Sequence, residues 1–335
     1  MSTPTRTGAD PVGGERRLEV VVVGGGAAGL GAALTLARAR RSVLVVDSGQ
    51  PRNAPAEGVH NYLGREGTPP QELLAAGRAE LTGYGGEIVA GEVAAAARLD
   101  DGCFRLVLAD GSTVTAKRLL VTTGLVDELP PVPGLERRWG RDVLHCPYCH
   151  GWEVRDRAVG VLATGPLAVH QALLWRQWSG DVTLLHHTGP EFSAEERERL
   201  AARGVRVVAG EVVGLEVDGD RLAGVRLADG AIVVLRVLAV ATRLVARADF
   251  LADLGLAAVP QQVNGHVVGE CLAADATGRT EVAGVWAAGN VTSLNEQVIG
   301  AAAAGVRVAA MINADLVEEE TRRAVAARGA QPARV

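Results

Sequence analysis

Residues 18–49 read LEVVVVGGGAAGLGAALTLARARRSVLVVDSG. The run from Leu18 to Val23 is apolar and rich in valine, which predicts a buried strand. Gly24, Gly26 and Gly29 follow at GxGxxG spacing and lead into a small-residue helix, and a second apolar run ends at Asp47. The pattern is a βαβ unit of a parallel sheet, of the kind that holds a dinucleotide. Gly24 permits the tight turn, Gly26 lets the backbone approach a pyrophosphate, and Gly29 with Ala33 allows close helix packing. The helix start, including Ala27 and Ala28, offers free amides and a positive dipole end to phosphate. Asp47, eighteen residues beyond Gly29, suits a carboxylate that accepts ribose hydroxyls.

Further along, residues 105–124 (RLVLADGSTVTAKRLLVTTG) predict a hairpin turning at Asp110-Gly111 and then a further strand. Residues 224–243 repeat that pattern about Asp229-Gly230, and residues 158–187 before them form a second βαβ candidate. Two dinucleotide-domain plans therefore lie in tandem. The late stretch EVAGVWAAGN (281–290) predicts a strand, followed by a long helix from about Glu296 to Val317. These have no third βαβ unit to join, so they return to complete the first domain. The expected fold is α/β, with two nested Rossmann-like dinucleotide-binding domains. The expected division is a disordered tail at 1–17, an FAD-binding domain over 18–127 and 248–321, and a degenerate NAD(P)-binding-like domain carrying CxxC over 128–247. A second tail is expected over 322–335. The Pro-rich LPPVPGL (129–135) marks the first crossing.

GxGxxG alone does not separate FAD from NAD, but the late segment favours the longer cofactor. Gly289 and Asn290 would meet its ribityl chain and pyrophosphate. The helix start near Gln297 would aim its positive end at a flavin ring. The plainer reading of Asn290 is a turn residue at a helix entry.

Composition narrows the classes further. A chain of 335 residues suits two domains, and with 48% hydrophobic but 3% aromatic residues its cores must rest on Val, Leu and Ala. A net charge of −5 with no basic block argues against a nucleic-acid partner. The N-terminal stretch lacks the apolar core of a signal peptide, and the apolar runs look short of the ~20 residues a membrane helix needs. A cytoplasmic protein with no membrane partner is expected. Four cysteines are too few for a disulfide scaffold, and CxxC spacing points to redox or metal chemistry.

That pair is Cys146 and Cys149, in HCPYCHGWEV (145–154). Closely spaced thiols exchange readily, one activated and one resolving. Half a zinc site is the competing reading. Zinc needs four ligands, and Cys103 and Cys271 are isolated in sequence, so no metal is expected. His150 follows the pair and suits a base that takes a proton from an incoming thiol; its plainer reading is a structural turn histidine.

Taken together, GGGAAG, TTG (122–124) before a Pro-rich linker, CxxC in the second domain, and AAGN followed by Gln297 resemble the low-molecular-weight thioredoxin reductase family over about residues 18–318. The resemblance implies a homodimer with FAD in the outer domain, Cys149 facing the flavin and Cys146 exchanging with substrate. It also assigns Arg52, Asn61, Val93, Thr123, Gly124 and Val298 to the FAD site. Three departures stand out. His150 occupies the position where the family has an acidic residue. Ala163-Thr164-Gly165-Pro166-Leu167-Ala168 replaces the second glycine motif. The strand at 182–185 ends in His186-His187-Thr188, without the paired arginines that grip the NADPH 2′-phosphate. The same departures mark the dithiol oxidases that close disulfides in small natural products such as gliotoxin and holomycin. This likeness implies a small-molecule dithiol substrate, O2 as acceptor, and Cys146, Cys149 and His150 as catalytic residues, with Trp152 a candidate pocket wall. An NAD(P)H-dependent disulfide reductase and a non-catalytic thiol-binding flavoprotein remain as alternatives.

Overall fold

The computed structural model describes residues 17–329 apart from Asn264. The opening run forms the strand Arg17–Val23 inside a seven-stranded sheet. Val43–Asp47 and Thr113–Val121 flank it, both parallel, and Glu87–Ala90 extends the parallel edge. Val20 and Val22 enter one core, beneath the helices Ala27–Arg38 and Val298–Gly329; Val21 and Val23 enter the opposite one. A strand covered on both faces needs apolar residues at successive positions, which is why the valine run lies here.

Thr113–Val121 has a divided outer edge. Its first part pairs antiparallel with Phe104–Leu108, and residues 119–121 pair parallel with the late strand Val285–Ala287. The hairpin return and the expected further strand are therefore one continuous strand, because two partners share its edge in succession. This pairing also brings the late segment back into the first sheet.

The helix Val298–Gly329 buries Ala301, Gly305, Val308, Ala309, Ile312 and Leu316, a stripe at helical spacing. A Cβ on Gly305 would overlap the Ala28 carbonyl, and one on Gly31 would lie 3.0 Å from the Ala302 carbonyl. Small residues thus bring the two helix backbones together. By length and composition alone this helix is apolar enough to cross a membrane, which corrects the reading that every apolar run is too short. Its stripe is packed against the first helix and the sheet, as a core helix requires. The tail expected from Arg322 is also corrected: the helix runs on to Gly329, with ion pairs Glu318–Arg322 and Glu319–Arg323 at i,i+4. Residues 330–335 lie outside the described residues, as does the tail expected at 1–17 except for Arg17. That residue opens the first strand, paired with Thr115.

A second, five-stranded parallel sheet runs in the order Arg206–Ala209, Val182–His186, Val159–Ala163, Val237–Val240, Val143–Leu144. A three-stranded antiparallel sheet over Val212–Val234 packs against it. The chain crosses between the two parallel sheets twice, outward in Leu125–Glu128 and back in Arg243–Ala246. The crossings pair antiparallel, Leu125 opposite Ala246 and Glu128 opposite Arg243. The fold is thus the α/β class expected, two nested Rossmann-like units.

Candidate active site

One cleft of about 1190 Å³ opens between the two units. The glycine motif forms one wall. Gly24 has φ +104°, and a Cβ there would lie 2.5 Å from the Thr122 carbonyl oxygen. Gly26, the N-cap of the first helix, has no side-chain cap, and a Cβ on it would meet nothing within 4 Å. The helix start is therefore an open cradle with unspent amides at Gly26, Ala27 and Ala28, all lining the cleft. Gly29 does not line it. A Cβ there would overlap the Gly24 carbonyl, so this glycine serves close packing.

Asp47 ends its strand at the cleft. Its carboxylate accepts the Gly25 N–H at 3.0 Å and pairs with Arg78 at 2.7 Å. Val93, Thr123, Gly124, Asn290, Gln297 and Val298 also line the cleft. Gly289 lies behind it, with φ +79° and no room for a Cβ against Ala28. The Asn290 amide donates to the Ser293 and Glu296 carbonyls, at 3.3 and 3.0 Å, and so shapes the entry to the last helix.

Two residues expected at FAD are engaged elsewhere. Arg52 lines the cleft, but its guanidinium forms a bidentate pair with Asp127 at 2.6 and 2.7 Å. Thr242 donates to the same carboxylate at 2.8 Å. Burial would push the Asp127 carboxyl up, but Arg52 and Thr242 more than offset this and hold it below the usual carboxylate range. Asn61 does not line the cleft. It is exposed, and its amide donates to the Tyr148 carbonyl at 2.9 Å.

The cysteine pair faces the same cleft. The strand Val143–Leu144 delivers His145 and then Cys146, which caps the single helical turn Pro147–His150. Proline at the first helical position costs no hydrogen bond. The Cys149 N–H donates to the Cys146 carbonyl at 3.2 Å, and Gly151 N–H to the Pro147 carbonyl at 2.7 Å. The two Sγ atoms are 2.6 Å apart. The Cys149 thiol donates to Cys146 Sγ. With the amides of Cys149 and Tyr148 and the charge of Arg52, this brings the Cys146 thiol down to about 7 despite its burial. The same contact, together with burial, pushes Cys149 well up. Burial also pushes His150 down, with Glu153 only partly opposing, so the ring is neutral at physiological pH. The arrangement provides an acidic thiol, a thiol donor and a neutral base at one cleft. In the reduced protein, iodoacetamide is expected to alkylate Cys146 with a midpoint near pH 7; a midpoint at the free-thiol value of about 8.5 would contradict this assignment.

The second glycine-motif position is built differently. Ala163 is fully buried, and its carbonyl accepts the Thr188 and Gly189 amides at 3.2 and 2.8 Å, so those donors are spent within the loop. His187 Nδ1 accepts the Val212 N–H at 3.0 Å. The crevice at Gly165 and Pro166 measures about 240 Å³, and its charged lining residues are Glu191 and Glu196, with His266 beside them. A nucleotide phosphate would meet carboxylates there.

Sequence reading missed Arg78, Asp127 and Thr242. Each acts through a partner distant in the chain, and no local motif marks them.

The family model for pyridine nucleotide-disulphide oxidoreductases matches residues 18–313, and the chain belongs to that family. Thioredoxin reductase tcpT of Claviceps purpurea (strain 20.1) is 30% identical, the match covering 90% of this chain and 95% of that protein. Among solved structures, HlmI is 44% identical with a TM-score of 0.87, over 96% of this chain and 99% of that one. An oxidoreductase from Agrobacterium tumefaciens is 34% identical with a TM-score of 0.83, over 90% and 99%.

Proposed function

We propose that this chain is an FAD-dependent dithiol oxidase that closes an intramolecular disulfide in a small natural-product dithiol of the holomycin type. In this reading it acts as a cytoplasmic homodimer. The residues present fit FAD: the open helix start at Gly26 would take the pyrophosphate, Asp47 the ribose hydroxyls, and the helix start at Gln297 and Val298 the ring. FAD bound there would accept the electron pair from the reduced cysteines and pass it to O2, giving H2O2.

The chain's own residues account for the thiol chemistry. With Cys146 and Cys149 oxidised, His150 takes a proton from one substrate thiol. The resulting thiolate attacks Cys146 Sγ, and the bond to Cys149 breaks. His150 passes its proton to the Cys149 thiolate and takes the proton of the second substrate thiol, which then attacks the substrate sulfur of the mixed disulfide; Cys146 leaves as thiolate. A thiol with its pKa near 7 is a good leaving group, so the depressed value at Cys146 favours this second step. The substrate loses two electrons and two protons, and the cysteine pair gains two electrons.

The observation that carries the direction of electron flow is the acidic 240 Å³ crevice where a nicotinamide coenzyme would bind. The second reading, an NAD(P)H-dependent disulfide reductase, is favoured by the name of the relative tcpT. Anaerobic titration of the flavoprotein separates the two. Bleaching of the flavin by a small dithiol, and by neither NADPH nor NADH, is the expected result; rapid bleaching by NADPH would overturn the oxidase reading.

A further inference from the structure

We propose that Asn61 is a positioning residue for the cysteine pair, clamping the Tyr148 carbonyl from the first unit and so holding the peptide that closes the turn between Cys146 and Cys149. Among the described residues, three non-glycine residues have positive φ: Arg40, Asn61 and Asp156. Asn61, at φ +61°, is the one beside the cysteines. Asparagine tolerates this region better than most side chains, but the conformation must still be held by its surroundings.

The holding contacts are present. The Asn61 N–H donates to Glu66 Oε2 at 2.9 Å, and His60 Nδ1 lies 2.6 Å from Glu66 Oε1. Val59 and Thr68 close the loop as a bridge, with Val59 N–H on the Thr68 carbonyl at 2.8 Å. The preceding segment is seated on the second unit as well, since a Cβ on Gly140 would come within 2.6 Å of Pro55 Cβ. From this fixed loop the Asn61 amide reaches the Tyr148 carbonyl.

That carbonyl shares one planar peptide group with the Cys149 N–H. The Cys149 amide and the preceding Tyr148 amide both help stabilise the Cys146 thiolate. Asn61 therefore holds one end of the peptide whose other end, the Cys149 N–H, closes the turn on the Cys146 carbonyl at 3.2 Å and so sets the approach of the two sulfurs, 2.6 Å apart; a donor at the carbonyl also polarises the N–H. The charged and titratable groups around the pair are Cys149, His145, His150 and Arg52, the last paired with Asp127, with His60 and Glu153 beyond His150. Replacing Asn61 alters none of them.

The inference rests on Cys146 being the exchanging thiol, but its test needs neither substrate nor electron acceptor and so stands apart from the direction of electron flow. Asn61→Gly keeps the left-handed backbone and removes the donor. In the reduced holoprotein with full flavin content, the pH midpoint for iodoacetamide alkylation of Cys146, followed by peptide mass spectrometry, is expected to rise by roughly one unit. An unchanged midpoint overturns the proposal, whatever happens to turnover. Should Asn61→Gly not accumulate as flavoprotein, Asn61→Asp replaces it. A midpoint raised even in high salt, where the added charge is screened, supports the clamp; an unchanged midpoint overturns it.

Discussion

Cys146→Ser is expected to lower dithiol turnover by at least about 10³-fold while the protein stays yellow. The hydroxyl can form no bond to Cys149 Sγ, so the substrate has no disulfide to attack and the electron pair has no carrier. The cradle proposed for the flavin is built from Gly24, Gly26 and Asp47 in the other unit and makes no use of this sulfur. Flavin stoichiometry and the visible spectrum should therefore match the parent protein. Cys149→Ser should lose turnover to the same degree. It differs in one respect: the serine hydroxyl still reaches Cys146 Sγ as a donor, so Cys146 should remain alkylatable near neutral pH. Retention of more than about a tenth of the turnover in either variant would rule out this pair as the reacting group.

Asp142→Ala is expected to destabilise the CxxC-bearing unit by about 3–5 kcal/mol. Asp142 immediately precedes the strand that delivers His145 and Cys146. Its carboxylate forms a bidentate pair with Arg138 at 2.5 Å on both arms, and both residues are buried, at 8% and 6% exposure. It also accepts the Leu222 N–H at 2.8 Å, tying this strand to the antiparallel sheet. Alanine would leave the Arg138 guanidinium buried without its main partner, since the remaining Asp220 contacts involve an exposed carboxylate and one carbonyl. The desolvation cost of that charge, more than the lost attraction, sets the size of the effect. The urea midpoint of the variant measures it. A midpoint within error of the parent would show that the pair contributes nothing to stability.

The parts of the site legible in the sequence are those whose chemistry lies within a few residues. GxGxxG between a strand and a helix, CxxC with its following histidine, and the absence of a second glycine motif are all local patterns. The nested topology followed from one late strand and helix with no βαβ unit of their own, and the pairing of Val285–Ala287 with Thr113–Val121 is its physical form. The helix end at Gly329 was not legible, because i,i+4 ion pairs extend an exposed helix past the last buried residue, Leu316. The family resemblance places Asn61 at the cofactor, but which way its side chain turns depends on a carbonyl 87 positions away.

By itself, then, the sequence determined that this is a two-unit dinucleotide fold with a dithiol beside a histidine, since strand period, glycine spacing and thiol spacing are properties of short segments. Only the tertiary structure decided that the dithiol and the glycine cradle share one cleft, that Arg52 is committed to Asp127, and that the second crevice is small and acidic. Those facts come from contacts between segments far apart in the chain, and packing sets such contacts where local pattern cannot.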